Sequence, residues 1–121
     1  MRLEPEQEYQ WVLQARHGNH EAFARLVQAY QTPVYNLAYR MLGNPTDAED
    51  AAQETFVRAY TRLNTFETGR KLSSWILSIA AHYCVDKLRR RHGGQASVEE
   101  TQSLQWMADG KPKPEEQLIE S

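Results

Sequence analysis

Apolar residues recur every three or four positions along most of the chain and are separated by short polar breaks, the signature of amphipathic helices. The alternating β-branched runs that a strand needs are missing. The spacing predicts a first helix over about 6–17, with Tyr9, Val12 and Leu13 on one face. His17-Gly18-Asn19 then supplies a stop followed by a cap. Asn19 opens a second helix carrying Ala22, Phe23, Leu26, Val27 and Tyr30. Pro33 interrupts this pattern and Val34, Leu37, Ala38, Met41 and Leu42 resume it, so a kink or short break is expected near Gln31-Thr32.

Gly43-Asn44-Pro45 marks a turn. Thr46-Asp47-Ala48-Glu49 has the form of a capping box and predicts a helix beginning at Thr46. Its inner face runs through Ala48, Ala52, Phe56, Ala59, Tyr60 and Leu63, and Asp47, Asp50, Gln53, Glu54 and Arg58 fall on the other side. A polar turn over 64–71 leads to a last helix, whose apolar face is Leu72, Trp75, Ile76, Ile79 and Tyr83 and whose end is Leu88-Arg89-Arg90-Arg91. The expected fold is all-α: a compact bundle of about four helices over residues 1–92, followed by a mostly irregular acidic tail over 93–121.

A length of 121 residues suits one domain with a modest core. No apolar run approaches the roughly 20 residues of a membrane-spanning helix, and no apolar stretch follows the charge in Met1-Arg2-Leu3-Glu4-Pro5. The expectation is a cytoplasmic protein without direct membrane insertion. Cys84 is the sole cysteine, so no internal disulfide is expected, and with only His82 nearby it falls far short of a metal constellation. There is no glycine-rich phosphate cradle and no Ser/His/Asp arrangement in a credible context, which argues against an enzyme or a bound cofactor.

Net charge changes the picture once it is divided. The whole chain carries -2, but residues 1–69 carry -3, residues 70–92 carry +5 and residues 93–121 carry -4. Any contact with a polyanion is therefore local and salt-sensitive. Two readings fit the acidic face of the third helix: a solvated surface whose acids favour the helix dipole, with Glu54 and Arg58 as an ordinary i,i+4 pair, or a docking face for a protein. Arg89, Arg90 and Arg91 equally suit helix capping or phosphate contact. Ser74, Ser78, His82 and Arg89 share one polar stripe of the last helix, and Trp75 reads as a core anchor.

The run Asp47-Ala48-Glu49-Asp50-Ala51-Ala52-Gln53-Glu54-Thr55-Phe56-Val57-Arg58-Ala59-Tyr60 is followed by Phe66, by Ser74-Trp75-Ile76-Leu77-Ser78-Ile79-Ala80 and by Asp86-Lys87-Leu88-Arg89. In that order these motifs resemble the second region of bacterial extracytoplasmic-function (ECF) sigma factors. Gly18-Asn19-His20-Glu21-Ala22-Phe23 with Leu26 and Tyr30 resembles the start of the same domain.

The resemblance implies a helical domain that binds the clamp coiled coil of core RNA polymerase and captures the minus-ten promoter element as melted non-template single-stranded DNA. It places Asp47, Asp50, Gln53 and Glu54 on the polymerase-docking helix. Arg58, Arg62, Phe66 and His82 fall on the pocket side, and Glu67, Thr68, Gly69, Arg70 and Lys71 form the base-reading loop. Ser74, Ser78, Arg89 and Arg90 extend the DNA-facing surface. An anti-sigma factor is a further partner implied by the family.

Two positions depart from the family pattern. His82 stands where many members have Asn, which changes the donors and acceptors offered to a base edge. The loop Phe66-Glu67-Thr68-Gly69-Arg70-Lys71 places its acid first, where Phe-Arg-Gly is common. Family members continue into a helix-turn-helix domain, which is not expected within these 121 residues. Residues 93–121 resemble the linker that precedes it, and Leu104, Trp106 and Met107 are expected to dock on the domain or a partner. The competing reading is a small helical protein-interaction adaptor that does not bind promoter DNA.

Overall fold

The computed structural model describes residues 4–91, and the expectations for residues 93–121 lie outside them. Four helices follow in order: α1 (Pro5–Arg16), α2 (His20–Leu42), α3 (Pro45–Thr61) and α4 (Leu72–Arg91), with a 3-10 turn at Leu63–Thr65 between the last two. There is no strand among the described residues, as the helical period predicts.

The central element is α2, which packs against all three other helices. Val12, Leu26, Val34 and Leu72 are fully buried in one cluster with Ile76 and Phe66. A second cluster joins Ala38 and Leu42 of α2 to Ala48 and Ala51 of α3 and Cys84 of α4. The inner face of α3 is built almost wholly from Ala48, Ala51, Ala52 and Ala59, small side chains that let helices approach closely. Thr55 is the one buried polar side chain among the described residues, and its hydroxyl donates to the Ala51 carbonyl at 2.7 Å.

Helix ends follow from local chemistry. Gly18 has φ of +90°, and the amides of Gly18 and Asn19 donate to the carbonyls of Ala15 and Gln14 at 3.0 and 3.1 Å, a Schellman stop. The Asn19 side chain then caps α2 by accepting from the Ala22 amide at 3.1 Å, as the sequence predicts. Gly43, at φ of +84°, ends α2.

Two expectations are corrected. No break occurs at Gln31-Thr32, because α2 runs through Pro33 without interruption. Pro33 is exposed, while Leu26 and Val34 hold both halves of the helix in the core. Nor does Thr46 cap α3. Asn44 does, accepting from the Asp47 amide at 2.9 Å and donating to the Asp47 carboxylate at 2.9 Å. Pro45 occupies the first helical position, where its missing N–H costs nothing, and this moves the reciprocal cap two residues upstream.

Candidate protein and nucleic-acid interface

Along the seam between α3 and α4 runs a ladder of charged and aromatic groups. Glu54 pairs with Arg58 at 3.5 Å, and the Arg58 guanidinium lies over the Tyr83 ring, 5.2 Å from its centroid. Lys87 lies 6.0 Å from the centroid of the same ring and reaches the Asp47 carboxylate at 3.3 Å. Arg91 also binds Asp47, and donates to the Leu42 carbonyl at 2.9 Å. The Asp47 carboxyl is held below the usual carboxylate range chiefly by the Asn44 amide; burial opposes this, and Lys87 and Arg91 add to the lowering.

This seam divides the four acidic-face residues. Asp47 and Glu54 are turned to partners within the domain, whereas Asp50 and Gln53 are exposed. Val57, 56% exposed, continues the ridge of Asp50 and Gln53 one turn further on. Beside that ridge, α2 and α3 enclose an open groove of about 1090 Å³, floored by Phe23, Val27 and Phe56 and edged by Tyr35 and Tyr60. Tyr60 is 41% exposed and stacks edge-on against Phe23 at 5.0 Å. Val57 and Tyr60 are exposed apolar side chains on this face that the sequence reading did not single out. Placing Tyr60 on the inner face hid its exposure, although Val57 and Tyr60 sit at i,i+3 spacing beside Gln53.

The predicted DNA-facing residues separate in the same way. Ser74, His82, Arg89 and Arg90 are exposed and Ser78 is partly so. The His82 Nδ1 lies 2.7 Å from the Ser78 carbonyl, which can only accept, so this nitrogen carries the proton. Ser78 donates to the Trp75 carbonyl at 2.7 Å. Arg62 ends α3 and is exposed, whereas Arg58 is committed to Glu54 and Tyr83.

Glu67, Thr68, Gly69, Arg70 and Lys71 form an exposed loop, with Arg70 paired to Glu67 at 3.0 Å. Phe66 does not stand out from it. The 3-10 turn carries the chain inward, and the Phe66 ring is 6% exposed, packed on Trp75 with centroids 5.2 Å apart. Phe66, expected on the pocket side, is therefore a core side chain at the base of the loop. Beneath the loop, a cavity of about 820 Å³ is walled by Glu8 and Tyr9 of α1, Gln28 and Tyr30 of α2, and Arg70 and Lys71. The Tyr30 hydroxyl donates to Glu8, and burial followed by that carboxylate pushes its pKa up.

Among the described residues no group of His, Cys, Asp and Glu is arranged to hold a metal ion, and no helix is long and apolar enough to cross a membrane.

Residues 26–93 match the family described as Sigma-70 region 2, more than half of the chain, and the chain belongs to that family. It is 42% identical over 80 residues to the ECF RNA polymerase sigma factor SigW of Bacillus subtilis, which covers 66% of this chain and 43% of the relative. It is 37% identical over 79 residues to the ECF sigma factor BldN of Streptomyces coelicolor, covering 64% of this chain and 30% of that protein. The RNA polymerase sigma-H factor of Pseudomonas aeruginosa is 33% identical over 89 residues, 74% of this chain and 46% of its own length. The chain thus spans less than half the length of each of these relatives.

Proposed function

We propose that this chain is the region-2 domain of an ECF transcription initiation factor, which docks on core RNA polymerase and captures the melted non-template strand of the minus-ten element. The observation that carries the reading is the separation of two exposed surfaces by the α3–α4 seam. On one side, Asp50, Gln53 and Val57 stand beside an apolar groove and suit a protein partner, here the clamp coiled coil. On the other, the loop over 67–71 and the stripe of Ser74, Ser78, His82 and Arg89 offer cations and polar groups to an extruded strand. Both partners can be held at once.

In this reading Asp50 and Gln53 touch the polymerase, and Asp47 and Glu54 orient the docking helix. Arg62, Arg70, Lys71, Arg89 and Arg90 follow phosphates, while Thr68, Gly69 and His82 meet the base edge. Phe66 anchors the loop from below. The domain contributes binding energy to strand opening and supplies no catalytic group. A cytoplasmic location and an anti-sigma factor that competes for the docking face belong to the same proposal. The adaptor reading is not favoured, since the family match covers both the acidic helix and the arginine-rich end of α4.

The test is binding to core polymerase by the unaltered chain and by Asp50→Lys, with strand capture measured for His82→Ala. Docking lost in the first variant, and opening impaired with docking intact in the second, is the expected result. No polymerase binding by the unaltered chain, or opening unaffected by His82→Ala, would overturn the respective assignment.

A further inference from the structure

The matched family span begins at residue 26, yet the loop that reads the strand is held partly from outside it. Arg16, in the last turn of α1, reaches across to the chain that follows α3. Its Nε donates to the Leu63 carbonyl at 3.1 Å and its Nη2 donates to the Phe66 carbonyl. These two carbonyls bracket the 3-10 turn at Leu63–Thr65 and stand immediately before Glu67, where the exposed loop begins. Arg16 itself is fixed by the Schellman stop at Gly18, so the fork is presented from a rigid helix end. A planar guanidinium donating to two carbonyls three residues apart sets the direction in which the chain leaves the turn.

We infer that Arg16 is a positioning residue for promoter-strand capture: it fixes the take-off of the 67–71 loop and the cavity beneath it, without itself touching polymerase or DNA. Because α1 also supplies Glu8 and Tyr9 to that cavity, the shape of the strand-reading surface depends on a helix outside the family-matched span. The inference rests on the proposed function for its consequence, but its structural half is measured separately.

Arg16→Gln removes the fork, and Arg16→Lys keeps the charge while replacing the planar fork by a single ammonium. In the whole chain, exchange of the hydrogen-bonded amides of Thr65, Phe66 and Arg70 at the turn and loop is expected to accelerate by roughly tenfold or more in Arg16→Gln, as one or two charge-assisted bonds are lost. Exchange in the α2 core should stay at the unaltered level. With core polymerase and a pool of fork DNA randomised over the single-stranded minus-ten positions, both variants should dock with unchanged affinity. Arg16→Gln should enrich a broader set of bases than the unaltered chain, and Arg16→Lys should restore only part of the selectivity. Unchanged loop exchange, or broadened exchange throughout the domain, would overturn the positioning role whatever the DNA result. Faster loop exchange with base selection identical to the unaltered chain would overturn its functional consequence. If the unaltered chain itself docked yet selected no bases, the strand-capture reading would fall, and that failure is distinct from a failure at Arg16.

Discussion

The carboxylate of Asp47, in the first turn of α3, lies 3.3 Å from the ammonium of Lys87 in the last turns of α4, across 40 residues of sequence. This contact ties the start of α3 to the basic end of α4. The Arg91 bond to Asp47 and its second bond to the Leu42 carbonyl bring the end of α2 into the same junction. The groups remain partly open to water, so they contribute more to relative orientation than to stability.

Asp47 gives the junction a pH dependence whose sign is fixed. Its folded-state pKa is lowered from 3.8, so its stabilising contribution is present above the unfolded value and is lost as pH falls through the folded value. Asp47→Asn should therefore lower the melting temperature at neutral pH, with the difference from the unaltered chain narrowing once the pH drops below about 4. Thermal unfolding of both chains from neutral pH down to acid checks this. A gap that stayed constant through acid pH would mean that the charge of Asp47 does not hold the junction.

The two candidate caps of α3 are distinguished by simple truncation. Asn44→Ala removes the side-chain oxygen that accepts from the Asp47 amide and should cost about 1 kcal/mol, within the range of 0.5–2 kcal/mol for helix caps. Thr46→Ala removes no helix-start bond and should stay within about 0.5 kcal/mol of the unaltered chain, as an exposed surface change does. Denaturant unfolding of the two variants measures both values, and the reverse ranking would restore the capping box at Thr46.

Helix number, order and most inward faces were legible because they depend on periodicity and on local stops such as Gly18-Asn19 and Gly43. The uninterrupted path through Pro33 was not, since burial of Leu26 and Val34 on either side is a tertiary effect that outweighs a local break. At the site, exposure of Asp50, Gln53, His82 and the loop followed from helix phase and turn composition. The internal pairing of Asp47 with Lys87 and Arg91, and of Arg58 with Tyr83, could not be read from spacing, because each joins helices far apart in sequence. For the same reason nothing in the local pattern around Arg16 pointed to Leu63 and Phe66.

Cys84 sits in the second core cluster, and burial pushes its thiol up to about 11 against the smaller opposing pull of Lys87 and Arg91. Thiolate is the reactive species, so the folded protein should react with a thiol reagent near pH 8 at a small fraction of the rate seen in denaturant. A time course of thiol modification with and without denaturant checks this. Rapid modification of the folded chain would show that the contact between α2, α3 and α4 opens readily.

Phe66 separates core anchoring from base stacking. Packed on Trp75 and 6% exposed, it should behave as a core residue, with Phe66→Ala destabilising the domain by about 3–5 kcal/mol. Phe66→Leu keeps most of the buried volume but removes the aromatic face, so it should cost less than Phe66→Ala, in the manner of conservative apolar exchanges. The decisive comparison is promoter opening by Phe66→Leu at a temperature where that variant remains folded. Opening close to the unaltered level fits a side chain that supports the 67–71 loop from below. A deep loss of opening in a stable, docked Phe66→Leu protein would instead mean that the ring swings out to stack on a base when the strand is captured, and that its burial belongs to the unbound domain alone.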